Sequence, residues 1–129
     1  MITYRVGQDK TSWSRYPKHF FAHSVNLRTV ETDELAAIIQ SNCSVKRSDV
    51  MAVLIELGET VQQLLADSHR VHINGLGWLK LGLECTPCPP DRPFSTKMIR
   101  GLKVNFKPEA VLMPEKPIFV ELPRNEIKK

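Results

Sequence analysis

No apolar run in this 129-residue chain approaches the ~20 residues that a membrane-spanning helix needs. Cysteine is scarce: three residues, an odd count, make no disulfide framework and favour a reducing compartment. The opening Met1-Ile2-Thr3-Tyr4-Arg5 has no apolar stretch leading to a small-residue cleavage site, so no secretory leader is expected and a cytoplasmic location is. Enzyme signatures are missing too. There is no nucleophile elbow, no phosphate-binding glycine loop and no paired-histidine metal helix. His19 and His23 have no evident acidic partner in sequence, so no catalytic residue, cofactor, metal or small-molecule substrate is expected.

What is present suits one globular domain of ordinary size: 42% of residues are hydrophobic and 25% charged. The net charge of +4 is unevenly spread. Residues 31–67 hold two Lys/Arg against seven acids, whereas residues 68–108 hold seven against two. Segregation of this kind points to an anionic partner for one face, set against the plainer alternative of a solvated basic surface.

The hydrophobic period divides the chain. Residues 1–28 are polar with scattered aromatics, and His19 to Val25 carries enough β-formers for a strand. A helix is predicted from Thr32, a capping residue followed by Asp33 and Glu34, with Leu35, Ile38 and Ile39 as its stripe and an end at Asn42 or Cys43. A longer helix follows with Asp49 in its first turn. Its stripe of Val50, Leu54, Leu57, Val61, Leu64 and Leu65, widened by Val53, predicts a buried face. That stripe is broad for one small sheet to cover, which points to a dimer. Gly58 lies within it, where glycine costs ~1 kcal/mol against alanine, and close helix approach would compensate.

After Asp67-Ser68 the period changes to two. Val71 and Ile73, then Leu79, Leu81 and Leu83, then Leu102, Val104 and Phe106 alternate as strands. Asn74-Gly75-Leu76-Gly77 supplies a tight hairpin turn. Pro87, Pro89, Pro90 and Pro93 make residues 84–98 an exposed loop or edge ribbon. Pro108 is placed to open a short helix, Glu109 to Met113, and Ile118 to Leu122 is a candidate terminal strand.

This order of elements resembles the HU/IHF family of bacterial DNA-bending proteins. The likeness rests on Val45 to Val50 opening the second helix, the Gly75-Leu76-Gly77 turn, and Phe106-Lys107-Pro108 before the last helix. The leading segment, with Phe20-Phe21-Ala22 and Thr29-Val30-Glu31-Thr32-Asp33-Glu34-Leu35, is similar to the HU-like branch common in Bacteroidetes. The resemblance implies an α+β fold: a two-helix hairpin, a three-stranded antiparallel sheet with a protruding β-arm, and a short C-terminal helix. It divides the chain into an extension at 1–30, an HU-like domain at 31–113 and a tail at 114–129. It also implies a nucleoid-associated dimer, the homodimer being favoured, that contacts double-stranded DNA through its sheet and arms. An arm-tip proline wedges between base steps and sequence preference is weak.

On that reading the DNA-contacting residues are Lys80, Arg92, Pro93, Lys97, Arg100, Lys103 and Lys107. Pro93 falls where the wedge proline of the family stands, 16 residues after Gly77, with Arg92 before it. The chain departs from the family in two ways. The arm tip reads Asp91-Arg92-Pro93-Phe94-Ser95-Thr96 in place of an Arg-Asn-Pro-x-Thr-Gly-like run, and Gly82 to Pro90 contains no Lys or Arg. These departures leave a second reading: a dimeric HU-like scaffold that has lost DNA bending and serves protein assembly. Cys85-Thr86-Pro87-Cys88 has the spacing of half a zinc site or a redox pair, with His69 and His72 upstream, against the plainer reading of two exposed thiols. Cys43 is read as a small buried hydrophobe.

Overall fold

The computed structural model describes residues 1–10, 13 and 15–123; the charged tail expected after Pro123 lies outside the described residues. The fold is α+β, with two helices and two three-stranded sheets. Two compact units divide the chain: Met1–Glu31 with Pro114–Lys129, and Thr32–Met113.

In the second unit, α1 (Thr32–Asn42) carries Asp33 and Glu34 in its first turn, where carboxylates oppose the positive end of the helix dipole. Its buried residue is Ala36. The longer α2 (Arg47–Ala66) begins after Lys46, and Arg47 Nη2 reaches back to the Asp33 carbonyl at 3.3 Å. Ser68 ends α2 in the left-handed region (φ 64°), a position glycine more often fills. The His69 N–H then bonds the Leu64 carbonyl at 3.0 Å and turns the chain into a sheet.

That sheet is antiparallel, in the order β3 (Val71–Ile73), β4 (Gly77–Cys85), β5 (Ile99–Pro108). The turn between β3 and β4 uses Gly75 at φ 82°. Gly77 is there for space as well as conformation. A Cβ on it would lie 2.1 Å from the Lys107 carbonyl oxygen, so β5 passes where only glycine fits. The pairing of β4 with β5 runs unbroken from Gly77 opposite Pro108 to Glu84 opposite Gly101. It then slips, setting Cys85 opposite Ile99, so that Arg100 is the extra residue of a bulge. Beyond it, Thr86 N–H bonds the Met98 carbonyl at 2.8 Å, and residues 87–95 form the tip before a 3-10 turn at Thr96–Met98.

Cross-strand partners share a face, so the pairs Leu79–Phe106, Leu81–Val104 and Leu83–Leu102 make one apolar ladder. In this chain the ladder stands open: Leu83, Leu102, Val104 and Phe106 are each at least half exposed. The α2 stripe departs from expectation in the same way. Val50 and Leu65 are buried, but Val53 is 65% exposed, Ile55, Leu57 and Leu64 are exposed as well, and nothing lies within 4 Å of a Cβ built on Gly58. Periodicity reports that a face is apolar; it does not report that the same chain covers it. Cys43, expected to be buried, is exposed at the end of α1.

The short helix expected over 109–113 is a single 3-10 turn at Ala110–Leu112. Pro108 ends β5 instead of opening that helix, because the strand pairing continues to Pro108 opposite Gly77.

The first unit holds the second sheet, in the order β2 (Phe20–Ser24), β1 (Ile2–Gln8), β6 (Phe119–Glu121). β1 pairs antiparallel with β2 and parallel with β6, so the leading and trailing segments share one sheet. Tyr4 and Phe119 meet edge to face at 6.4 Å, and the buried Thr3 hydroxyl donates to the Val25 carbonyl.

Candidate nucleic-acid interface

The face of the β3–β4–β5 sheet opposite the apolar ladder is polar and basic. Register places Lys80 opposite Asn105, Lys103 opposite Gly82, and Lys107 opposite Trp78, which pairs in turn with His72 on β3. Arg70, two residues before His72, is in phase with it. A cleft of about 200 Å³ is lined by Arg70, Trp78, Lys80, Asn105, Phe106 and Lys107. Three of the predicted contact residues, Lys80, Lys103 and Lys107, therefore stand on one surface. Arg92, Pro93, Lys97 and Arg100 are not with them. Arg92 and Pro93 lie in the tip, Lys97 in the 3-10 turn and Arg100 at the bulge. Phe94 is 57% exposed beside Pro93.

Sequence reading missed how the basic face is organised. Trp78 stacks on His72 with ring centroids 4.6 Å apart and planes 15° from parallel. Arg70 Cζ and Lys107 Nζ each lie 5.8 Å from the indole centroid, within cation–π range. His72 Nε2 donates to Glu109 Oε1, and the other carboxylate oxygen accepts from the Gly75 N–H at 3.2 Å. The His72 hydrogen bond, helped by the Gly75 N–H, holds the Glu109 carboxyl below its ordinary value of 4.5, against a smaller opposing push from desolvation. The signal for this arrangement was in the alternation itself. Arg70, His72, Trp78, Lys80, Asn105 and Lys107 are the polar phases of three strands whose apolar phases had been read.

The cysteines do not form a site. Cys85 and Cys88 are free thiols donating to nearby carbonyls, Cys88 to those of Pro89 and Arg92 at 3.5 Å. Among the described residues no three His, Cys, Asp or Glu side chains are grouped to hold a metal, and no helix is long and apolar enough to cross a membrane.

A family profile described as an HU domain fused to wHTH, Ig or glycine-rich motifs, HU-HIG, matches residues 1–117. The chain belongs to the HU-HIG family. The match covers the β3–β4–β5 sheet of this HU-HIG chain together with β1 and β2 ahead of the helices, and ends before β6. Among solved structures, this HU-HIG chain is similar to a Bacteroides vulgatus protein described as a candidate bacterial DNA-binding protein. The TM-score is 0.59 at 14% identity, over 86% of this chain and 43% of that one. The chain thus spans less than half the length of that relative, and the likeness carries fold. No curated protein matches it.

Proposed function

We propose that this chain is an architectural, non-catalytic DNA-binding protein of the bacterial nucleoid, acting as a homodimer that grips double-stranded DNA with little sequence preference. The observation that carries the reading is the gathering of Arg70, Lys80, Lys103 and Lys107 on one face of a sheet whose other face is apolar and open. Phosphate-directed binding needs such a face, and neutralising phosphates releases counterions whatever the sequence. The open ladder and the open α2 stripe support the dimer. A second copy would remove both from water, at about 1.5–3 kcal/mol for each large side chain fully buried.

Within this reading, residues 31–113 form the DNA-binding domain, and segments 1–30 and 114–129 are accessory to it. Lys80, Lys103 and Lys107 contact phosphates from the sheet. Arg92, Lys97 and Arg100 do so from the ribbon end, where Pro93 is the wedge that bends the duplex. An electrophoretic shift assay on linear duplex tests the proposal. It predicts a complex at 50 mM salt that weakens steeply as salt rises, and no complex at 50 mM salt would sink it.

One observation favours a second reading. Gly82 to Pro90 carries no Lys or Arg, so half of the projecting ribbon has nothing with which to hold a phosphate. A dimer that forms normally yet binds no duplex would establish the protein-assembly role in its place.

A further inference from the structure

We propose that Trp78 is the positioning residue of the basic face: pinned by the His72–Glu109 pair, its indole holds the Arg70 and Lys107 cations in place for DNA phosphates. The inference rests on the DNA-binding reading and names what organises that site. A tryptophan on the polar phase of a central strand is a large apolar ring where a lysine, serine or threonine would be soluble and adequate, so its presence needs a reason. The contacts supply one. His72 covers the ring in a near-parallel stack, and Arg70 and Lys107 sit equidistant from its centroid.

The ring is itself anchored. Glu109 ties His72 to the Gly75 N–H of the β3–β4 turn, and the Glu109 N–H bonds the Leu76 carbonyl at 2.9 Å. The β3–β4 turn thus holds a carboxylate, which holds an imidazole, which stacks on an indole, which lies against two cations. Arg and Lys lose rotamer freedom when they engage a phosphate, and restraint in advance lowers that cost. Lys80 and Asn105 complete the wall of the same cleft.

Glu109 gives the inference a sign that charge counting does not share. It is a carboxylate beside a surface meant for phosphates. If only net charge matters, removing it strengthens DNA binding. If it anchors the stack, removing it weakens binding.

The test is equilibrium binding of the full chain to one linear duplex between 50 and 250 mM salt. It compares the wild type with Trp78→Leu, Trp78→Phe and Glu109→Ala, each checked by circular dichroism and for oligomeric state. Trp78→Leu keeps every charge yet is expected to lose about tenfold in affinity. Its slope of log K against log salt should flatten by roughly one per displaced phosphate contact. Trp78→Phe, which retains a π face, is expected to keep most of both. Glu109→Ala is expected to bind more weakly than wild type. A Trp78→Leu slope equal to that of wild type, or Glu109→Ala binding more tightly, would overturn the inference. If Trp78→Leu does not fold, the sign for Glu109→Ala decides. A wild-type chain that binds no duplex would remove the DNA reading and this inference together, a result distinct from wild-type binding with unchanged variants.

Discussion

The near half of the β4–β5 ribbon and its far end are built from the same two strands but on opposite principles. From Gly77 to Leu83 the register is regular, glycine is required by contact, and each polar position faces a defined partner. Beyond Glu84 the pairing slips, proline replaces strand residues, and the basic side chains lie on separate local structures. Preorganised cations suit holding a phosphate backbone. A projecting, proline-bearing tip suits deforming one. Under the proposed DNA-binding reading, grip belongs to the near half and bending to the far end, and each proposal can be broken separately.

The largest effect is expected at the apolar ladder that supports the near half. Val104→Asp would place a charge opposite Leu81 on a face that the dimer account buries, and burying an unpaired charge is severely unfavourable. The variant should be monomeric or unfolded by analytical ultracentrifugation; a stable dimer would show that this face is not the interface.

Two of the three glycines in the ribbon, Gly77 and Gly101, come next. Gly77→Ala drives a Cβ into the Lys107 carbonyl and should cost on the order of 3 kcal/mol or more in chemical denaturation. At the far end a Cβ on Gly101 meets nothing nearer than Glu84 Oε2 at 3.7 Å, so Gly101→Ala should stay within about 0.5 kcal/mol. Equal costs would remove the distinction between a fixed and a tolerant half.

Pro93→Ala sharpens the comparison at the other end. It should reduce the DNA bend seen by fluorescence energy transfer between duplex ends while changing affinity by less than about threefold, since it removes no cation and one wedge. A bend that survives the substitution would leave the tip without the deforming role.

The smallest effect is in pH. The Glu109 carboxyl is depressed in the folded chain, mainly by His72, so its contribution is present above the ordinary value of 4.5 and is lost as pH falls through the lower folded value. Wild type should therefore lose slightly more stability than Glu109→Gln on acidification below about pH 4.5, measured by thermal melting. Parallel pH curves would mean that the pair adds nothing to the turn.

Much of the helices and of the larger sheet was legible, because amphipathic alternation with period 3.6 and then 2 is imprinted on the sequence of Thr32 to Pro108. The smaller sheet was only half legible. Its β2 and β6 showed β-formers, but β1, for all its alternating Ile2, Tyr4 and Val6, sits in a polar stretch and pairs with a strand over a hundred residues away. Covered and open apolar faces look alike in sequence, so Val53 and Leu57 could be read as apolar but not as exposed. At the candidate site, lysines announced themselves by charge. The Trp78–His72–Glu109 arrangement did not, since it depends on cross-strand register and on a carboxylate that follows β5 yet binds a histidine on β3.

The central claim is that grip resides in the near half. The most direct measurement is the salt dependence of duplex affinity for two triple variants, Lys80→Ala/Lys103→Ala/Lys107→Ala and Arg92→Ala/Lys97→Ala/Arg100→Ala, which remove equal charge. The account predicts that the first flattens the slope of log K against log salt by about three units per chain, with a loss of at least about a hundredfold at 50 mM salt, and that the second costs clearly less. A far-end triple that costs as much as the near one, or more, would contradict it.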